Sequence, residues 1–438
     1  MPVSLIGLLG FGTVVLAAML LLHGYLWWRM VRSTTRRGRL RRRLTALTVV
    51  LGFLPVLAVT LRRVLPLDAA APLDWIAYSW LGIAFYAFLY LLVLEPVRLV
   101  AGLVMRRTRT RETAPAEVVA SGARRAPRRD DAAARPDGGT APGRGAVRED
   151  GDVQGHATPR RIFLARTLAV TAGVAALGTA GAGAYSANGT PVVRRVPITL
   201  DGLDPALDGL RIVTFSDPHL SSTYGGRRFE RVVELVNEQR PDVVAIVGDL
   251  VDGDVGELRE DVAPLADLVS AQGVYFVTGN HEYFVDTRAW LRHVPTLGVD
   301  VLRNERVPIR RGAASFDLAG VDDRTAAASG VPGHGADLAA ALDGRDDSTP
   351  VVLLAHQPWM LDQARAAGVA LQLSGHTHAG QLWPFDYVVR LDQPAVAGLS
   401  RHGDTQLYVT AGAGYWGPPM RVRARPEVTV VELRSPGA

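Results

Sequence analysis

Neither cysteine nor lysine occurs among the 438 residues of this chain. The absence of cysteine excludes a disulfide framework and a thiolate metal site. All 48 basic residues are arginines, and they are unevenly distributed. Residues 1–185 contain 25 arginines against 11 acidic residues, whereas residues 186–438 contain 23 against 32. Because the positive charge flanks apolar segments and the C-terminal part is acidic, we expect no nucleic-acid partner.

Charged residues are also absent from three long apolar segments, residues 3–28, 44–61 and 75–94. About 20 apolar residues suffice to cross a bilayer as a helix. The three segments are apolar on all sides, which is not the pattern of helices that cover a soluble core. They predict three transmembrane helices within an α-helical membrane region of residues 1–105.

The loops between these segments differ in charge. Residues 29–43 carry eight arginines, whereas residues 62–74 carry two arginines and two aspartates. Because cytoplasmic loops are enriched in positive charge, the first loop is predicted to be cytoplasmic and the second external. The third helix then returns the chain to the cytoplasm.

Two segments connect the membrane region to the rest of the chain. Residues 106–159 are poor in large apolar side chains and predict a disordered cytoplasmic linker. In residues 160–187, paired arginines precede Phe-Leu and an Ala/Gly-rich run, which resembles a twin-arginine export signal. A fourth transmembrane segment is the alternative, and cleavage stays open. Either interpretation implies a multi-pass protein of the cell membrane with residues 188–438 on the extracytoplasmic side, and the first adds the export machinery as a partner.

From Val192 onward, short β-branched runs alternate with helical patterns, which predicts an α/β domain. Ligands of α/β sheets bind at the carboxyl ends of strands. Asp, His and Asn side chains suit Mn, Fe or Zn, and their number exceeds what one ion needs. Five of the predicted strands lead into such side chains: Asp217 and His219, Asp249 and Asp252, Asn280 and His281, His356, and His376 and His378.

The same residues form ordered motifs: DPH at 217–219, GDLVD at 248–252, GNHE at 279–282, the single His356, and GHTH at 375–378. In this order they resemble the calcineurin-like metallophosphoesterase family, and within it the membrane-exported YkuE/YaeI-type phosphodiesterase branch. The resemblance implies a four-layer α/β sandwich of two mixed sheets flanked by helices. It also implies a metal-dependent hydrolase that acts on phosphoester bonds with two divalent ions and a metal-bridging hydroxide.

The resemblance also implies roles for single residues. His281 would be catalytic, and Asp252 would hydrogen-bond to it. Asn280 would contact the substrate. Apart from the resemblance, Arg421 in the PPMR stretch is a candidate contact for a substrate phosphate, with a salt bridge at the rim as the alternative. Trp416 is assigned to core packing, with an apolar wall for a lipid-like substrate as the alternative. Seven residues would bind the metals: Asp217, His219 and His378 the first, Asn280, His356 and His376 the second, and Asp249 both.

The substrate is inferred from location alone. A membrane-tethered enzyme is expected to act on a phosphoester at the membrane surface, such as a lipid-linked one. A pyrophosphate hydrolase acting on a UDP-2,3-diacylglucosamine-like substrate is an alternative, although that chemistry belongs to the cytoplasmic side. A non-catalytic metal- or phosphate-binding membrane sensor or scaffold is the alternative from another class, and the retention of every ligand in the motifs favours the enzyme.

Overall fold

The structure is a computed structural model that describes residues 5–62, 64–112 and 159–437. Residues 113–158 of the predicted linker lie outside this part of the chain. The α-helices are α1 Leu5–Leu26, α2 Arg39–Leu61, α3 Leu67–Val93, α4 Glu95–Glu112, α5 Pro159–Asn188, α6 Gly226–Glu238, α7 Val255–Val262, α8 Thr287–His293, α9 Leu338–Leu342, α10 Leu361–Ala366 and α11 Asp386–Val389. The strands are β1 Val192–Thr199, β2 Arg211–Phe215, β3 Val243–Val247, β4 Val274–Val277, β5 Asp300–Val301, β6 Glu305–Arg311, β7 Ala314–Gly320, β8 Val351–Leu354, β9 Leu371–Ser374, β10 Gly398–His402, β11 Thr405–Val409 and β12 Glu427–Arg434.

Four described helices are long and apolar enough to cross a membrane. α2 and α3 begin before the apolar segments at 44–61 and 75–94, because helical hydrogen bonding continues past the edge of an apolar stretch. The helix α4 extends through Glu112, beyond the predicted start of the linker at residue 106. By length and composition the four candidates are Thr13–Arg32, Arg39–Leu61, Leu67–Val93 and Arg160–Asn188.

The last of these helices, α5, packs along α3 through small side chains. Ala172, Ala176 and Ala180 are buried in one cluster with Ala84 and Ala87 of α3. Small residues let two helix backbones approach closely in a membrane, where helices gain little from the hydrophobic effect. The Tyr90 and Thr179 hydroxyls lie 2.7 Å apart across the same contact. Residues 160–188 therefore form a fourth helix of the bundle.

The remainder of the chain forms two six-stranded sheets. Their strand orders are β1-β12-β2-β3-β4-β5 and β10-β11-β9-β8-β7-β6. Both are mixed, since β12 pairs antiparallel with β2, and β6 with β7, while β2–β4 and β7–β9 are parallel. Buried residues of both sheets, such as Val247 and Leu354, form one core between them.

Helices cover the outer faces of both sheets. Phe229, Val232 and Val236 of α6 are buried against the first sheet, and Ala341 and Ala364 belong to the cluster outside the second. The spacing of the α6 residues places them on one face of the helix. The predicted four-layer sandwich behind a membrane region is confirmed.

Candidate metal centre

Nine predicted site residues meet at one end of the two sheets. Because β2, β3 and β4 are parallel neighbours, their carboxyl ends lie side by side, and the same holds for β8 and β9. The His356 ring joins the two edges, since its Nδ1 lies 2.8 Å from the Val247 carbonyl oxygen of β3. The residues brought together are Asp217, His219, Asp249, Asp252, Asn280, His281, His356, His376 and His378.

The backbone at the site adopts a left-handed conformation that residues other than glycine rarely adopt. Five residues have φ between +50° and +69°: Asp217, His219, Asp249, His376 and His378. Such left-handed positions cost about 1–3 kcal/mol each and persist where the surrounding structure enforces them. The sharp turns after each strand therefore aim these side chains into one small volume.

Two motif glycines are required by close packing. A Cβ atom at Gly279 would collide with the Asp249 carboxylate. A Cβ at Gly375 would lie 2.5 Å from the Asp217 carboxylate oxygen. The glycines that precede Asn280 and His376 therefore let neighbouring strand ends approach each other.

Asp217, His219 and His378 form the first candidate metal group. The Nε2 atoms of the two histidines lie 3.0 Å apart, and that of His378 lies 3.5 Å from an Asp217 oxygen. His219 Nδ1 lies 2.8 Å from Asp252, a carboxylate that accepts its proton and leaves the Nε2 lone pair facing inward. A cation between these atoms fits the donor set.

Asp249, His356 and His376 form the second candidate group. Because His356 Nδ1 donates to the Val247 carbonyl oxygen, Nε2 is the nitrogen that faces the centre and that would bind a cation once deprotonated. This Nε2 is buried 3.1 Å from Asp249 Oδ2, and Oδ1 of Asn280 is buried without a hydrogen bond. Buried polar atoms without partners are costly, and a bound cation removes that cost. These residues also fit a divalent metal.

Asp249 lies between the two groups. Its Oδ2 is 3.1 Å from His356 Nε2 and 3.7 Å from His219 Nε2, one ligand of each group. Burial opposes ionisation of this carboxyl group, but His356, His281 and His219 together outweigh it and hold the pKa of Asp249 well below its ordinary value. An ionised carboxylate at this point can be shared by two cations.

His281 is positioned by Asp252 on the open side of the centre. Asp252 Oδ1 lies 2.7 Å from His281 Nδ1 and thus contacts both His281 and His219. Burial opposes protonation of His281, but Asp249 and Asp252 outweigh it and raise the pKa of His281 to about 9. The imidazole therefore carries a proton at neutral pH, with its Nε2 4.0 Å from Asp249 Oδ2.

Two exposed aromatic residues flank the His281 ring. Phe284 and Trp416 meet it edge-on, with ring centroids at 5.1 Å and 5.6 Å. Trp416 is 56% exposed, so its assignment to core packing is wrong, whereas the neighbouring Tyr415 is buried. The open side of the centre is thus lined by apolar surface.

Arg421 does not lie where the sequence analysis placed it. The side chain is 1% exposed, so neither a substrate contact nor a rim salt bridge fits. Its guanidinium donates to the carbonyl oxygens of Gly414, Ala411 and His378, and Nη2 lies 3.0 Å from His378 Nδ1. These contacts occupy all five N–H groups of an arginine. Arg421 therefore positions His378 from beneath the centre, and burial of this kind is not encoded in the short motif PPMR.

Glu282 has a structural role that the sequence analysis did not assign. It is 1% exposed and accepts hydrogen bonds from four backbone N–H groups, those of Asp249, Leu250, Val251 and Gly279. Burial and Asp249 raise the pKa of Glu282 to about 7, against the lowering effect of these donors. Its carboxylate ties the ends of β3 and β4 together. The sequence signal for Glu282 was its position as the acidic last residue of the GNHE motif.

Replacement of Glu282 tests this structural role. Glu282→Ala leaves four buried N–H groups without an acceptor and is expected to destabilise the protein by about 3–5 kcal/mol. Thermal unfolding in detergent after removal of metal would measure it. Glu257→Ala, an exposed glutamate in α7, is the matched control. Equal melting temperatures of the two variants would contradict the role.

Comparisons with known proteins agree with this geometry. The calcineurin-like phosphoesterase family model matches residues 210–380. A transmembrane protein with metallophosphoesterase domain from Danio rerio is 42% identical over 58% of this chain and 59% of its own length. An uncharacterized metallophosphoesterase of Helicobacter pylori is 37% identical over 63% of this chain and 72% of its own. The uncharacterized metallophosphoesterase YkuE of Bacillus subtilis is 32% identical, over 52% and 80%.

The chain spans 59% of the Danio rerio relative and 54% of a putative metallophosphoesterase from Caenorhabditis elegans. It covers more than two thirds of the two bacterial relatives named above. Together with apolar helices at its N-terminal end, these similarities identify a membrane protein. The candidate metal ligands at the strand ends and the similarities to known proteins lead to the same conclusion. This chain belongs to the calcineurin-like metallophosphoesterase family, whose members are metal-dependent phosphoester hydrolases.

Proposed function

We propose that the chain is a binuclear-metal phosphoesterase anchored in the cell membrane by several helices. It hydrolyses a phosphodiester or phosphomonoester of a membrane-surface or lipid-linked substrate. The observation that carries the proposal is the position of Asp249, whose Oδ2 lies within 3.7 Å of a ligand atom in each candidate metal group. One carboxylate between two nitrogen-rich groups fits two cations that act on the same phosphoryl group.

The ligands divide between the two cations. The first cation would be held by Asp217, His219 and His378, and the second by Asn280, His356 and His376, with Asp249 shared. Mn, Fe or Zn suits these nitrogen and oxygen donors. When bound, such ions lower the pKa of water and neutralise charge on the phosphoryl group.

His281 would handle the proton of the reaction. It holds a proton at neutral pH, and Asp252 fixes that ring through Nδ1, so Nε2–H is the group that faces the centre. It would protonate the leaving alkoxide or stabilise the transferring phosphoryl group. Asn280, with Oδ1 on a cation, would offer its amide N–H groups to a phosphoryl oxygen.

The catalytic domain is proposed to lie on the extracytoplasmic side. Asp74, at the end of the weakly charged loop, accepts a hydrogen bond from Ser222 of the domain at 2.5 Å. At the other end of the bundle, Arg166 donates to Thr34 within the arginine-rich loop. The domain thus shares a side with the loop that the charge rule assigns outside. The packing of α5 against α3 favours a retained helix over a cleaved twin-arginine signal.

Hydrolysis by the full chain in nanodiscs would test the proposal. The substrates are bis-p-nitrophenyl phosphate and p-nitrophenyl phosphate, each with Mn²⁺, with Zn²⁺ and after EDTA. We expect EDTA to abolish turnover and added metal to restore it, because the nucleophile depends on the cations. The preferred ester separates a phosphodiesterase from a phosphatase. Turnover that survives complete metal removal would contradict the mechanism, and stoichiometric metal binding without turnover would favour the sensor or scaffold.

A further inference from the structure

A short segment next to the metal centre exposes an unusual amount of apolar surface. Residues 383–391, here called the apolar loop, follow the ligand His378 closely in the chain. Its helix α11 contains no buried residue. Contiguous exposed apolar surface of this kind marks a binding surface. The exposed side chains are Trp383 at 44%, Phe385 at 47%, Tyr387 at 63%, Val388 at 50% and Leu391 at 86%.

The apolar loop is held against the membrane helices. The Tyr86 hydroxyl of α3 donates to the Trp383 carbonyl oxygen at 2.9 Å. Leu382, just before the loop, belongs to the apolar cluster formed by α3 and α5. In the same cluster Met420 packs so closely on Gly82 that a Cβ there would lie 2.6 Å from the Met420 methyl carbon. The domain surface beside the metal centre is therefore continuous with the transmembrane bundle.

The depth of this contact follows from α3 itself. Two ion pairs mark the polar ends of its apolar part: Asp74 of α3 with Arg62 at 3.1 Å, and Glu95, the first residue of α4, with Arg29 at 2.7 Å. These two polar ends are about 31 Å apart at 1.5 Å per residue. That distance matches the hydrocarbon thickness of a bilayer, about 30 Å. Tyr86 lies about 18 Å from the Asp74 end and about 13 Å from the Glu95 end, so its partner in the apolar loop lies near the middle of the span, at the level of the acyl chains.

The charged residues of the loop are compatible with this depth. Its acid, Asp386, packs back against Gly380, where an added Cβ would lie 2.6 Å from the Asp386 Cβ. Its cation, Arg390, is exposed at the end of α11, and a long arginine side chain can lay its stem along apolar surface and direct its charged end towards the polar boundary of the bilayer.

The apolar loop also joins the open side of the metal centre. Gln381, which precedes the loop, donates through Nε2 to the Trp416 carbonyl at 2.8 Å and accepts from the Trp416 N–H at 3.0 Å. Trp416 in turn meets the His281 ring. Gln381 therefore links the apolar loop to Trp416, whose exposed ring lies beside the His281 imidazole.

We infer that the apolar loop inserts among the acyl chains of the bilayer beside α3. Its occupant is the lipid bilayer, because the loop continues the surface of α3 and α5. Resting on the proposed function, a second consequence names the substrate class: an amphiphilic phosphoester that reaches the metals from the bilayer while its acyl chain stays inserted.

The absence of cysteine makes insertion directly measurable. A single cysteine is introduced at Leu391 and labelled with an NBD fluorophore, and the full chain is reconstituted in phosphatidylcholine nanodiscs that contain acyl-chain doxyl lipid. Val269→Cys is the matched control, since Val269 is 67% exposed and precedes β4, at the sheet end opposite the metal centre. We expect strong quenching at 391 and none at 269. Equal, water-like emission from both positions would overturn insertion.

A matched pair of esters tests the substrate class. Both release p-nitrophenol: bis-p-nitrophenyl phosphate in water, and p-nitrophenyl hexadecyl phosphate within the nanodisc. For Leu391→Asp, turnover of the lipid ester relative to the aqueous ester should fall about tenfold, because a charge in the bilayer disfavours insertion. For Val269→Asp the ratio should not change. An unchanged ratio in Leu391→Asp would overturn delivery from the bilayer.

The two hypotheses fail in different ways. Wild-type protein that cuts neither ester would count against the proposed phosphoesterase function, while quenching at residue 391 would still support or overturn insertion. Wild-type protein that cuts the aqueous ester and leaves the lipid ester intact would overturn the amphiphilic substrate class alone.

Discussion

Asp249→Asn is expected to lower phosphoester hydrolysis at least about a thousandfold, which corresponds to the several kcal/mol that metal ions contribute to such reactions. The Asp249 carboxylate is the group closest to both sets of ligands, with its Oδ2 3.1 Å from His356 and 3.7 Å from His219. An asparagine is nearly isosteric but neutral, and with its oxygen on the His281 N–H its NH2 group, which is no metal ligand, would take the place of Oδ2. It therefore cannot bridge two cations, and we expect the bound metal to fall by about one equivalent.

Turnover and metal content of the same preparation would be measured together. Asp254→Asn is the matched control, since Asp254 is exposed on the same segment and asparagine is also a good N-cap residue for α7. The substitution should leave the local backbone unchanged. Asp249 Oδ1 accepts a hydrogen bond from the His281 N–H at 2.8 Å, and an asparagine oxygen can accept the same hydrogen bond. Full turnover with two bound metals in Asp249→Asn would refute the bridging role.

His281→Ala is expected to lower kcat by about 10²–10⁴, the range typical of general acid catalysis, while metal content stays at the wild-type level. The reason is that the imidazole lies beside the candidate ligands and holds its proton through Asp249 and Asp252. A p-nitrophenolate leaving group needs little protonation, whereas an alkoxide needs it fully. The loss should therefore be larger for an alkyl phosphoester than for a nitrophenyl ester.

The leaving-group comparison separates the two roles proposed for His281. A loss that depends on the leaving group assigns it to protonation, and an equal loss for both esters assigns it to stabilisation of the transferring phosphoryl group. His402→Ala, on β10, serves as the control for the loss of a histidine. Loss of bound metal in His281→Ala would contradict both roles, because it would make the residue a ligand.

The metal centre is the part of this molecule that could be predicted best from the chain. Short buried strands are recognisable as β-branched runs, and parallel strands have their carboxyl ends at one edge. Residues such as Asp217 and His356 therefore fall together once the strands are identified. Three of the four candidate membrane helices were likewise predictable in approximate position, although α2 and α3 start earlier than the apolar segments do, and the fourth was left open against an export signal.

Other features were not predictable because they depend on burial. Arg421 looks like a free cation in the sequence, yet three carbonyl groups, one after β9 and two in the loop after β11, surround it in the folded domain. Glu282 looks like the last letter of a motif, yet it accepts four backbone N–H groups. Neither contact has a local signature, since the partners come from different strand ends.

The sequence by itself determined the local properties of this protein: which segments are apolar, where strands end, and which side chains able to bind metal follow them. These depend on composition and short spacing, so they can be read along the chain. Only the tertiary structure decided which side chains are buried, which are exposed, and what lies beside the centre. The apolar loop shows the difference. Nine residues are too short to predict a membrane segment, and its significance comes from the contact of Trp383 with Tyr86, a residue 297 positions away.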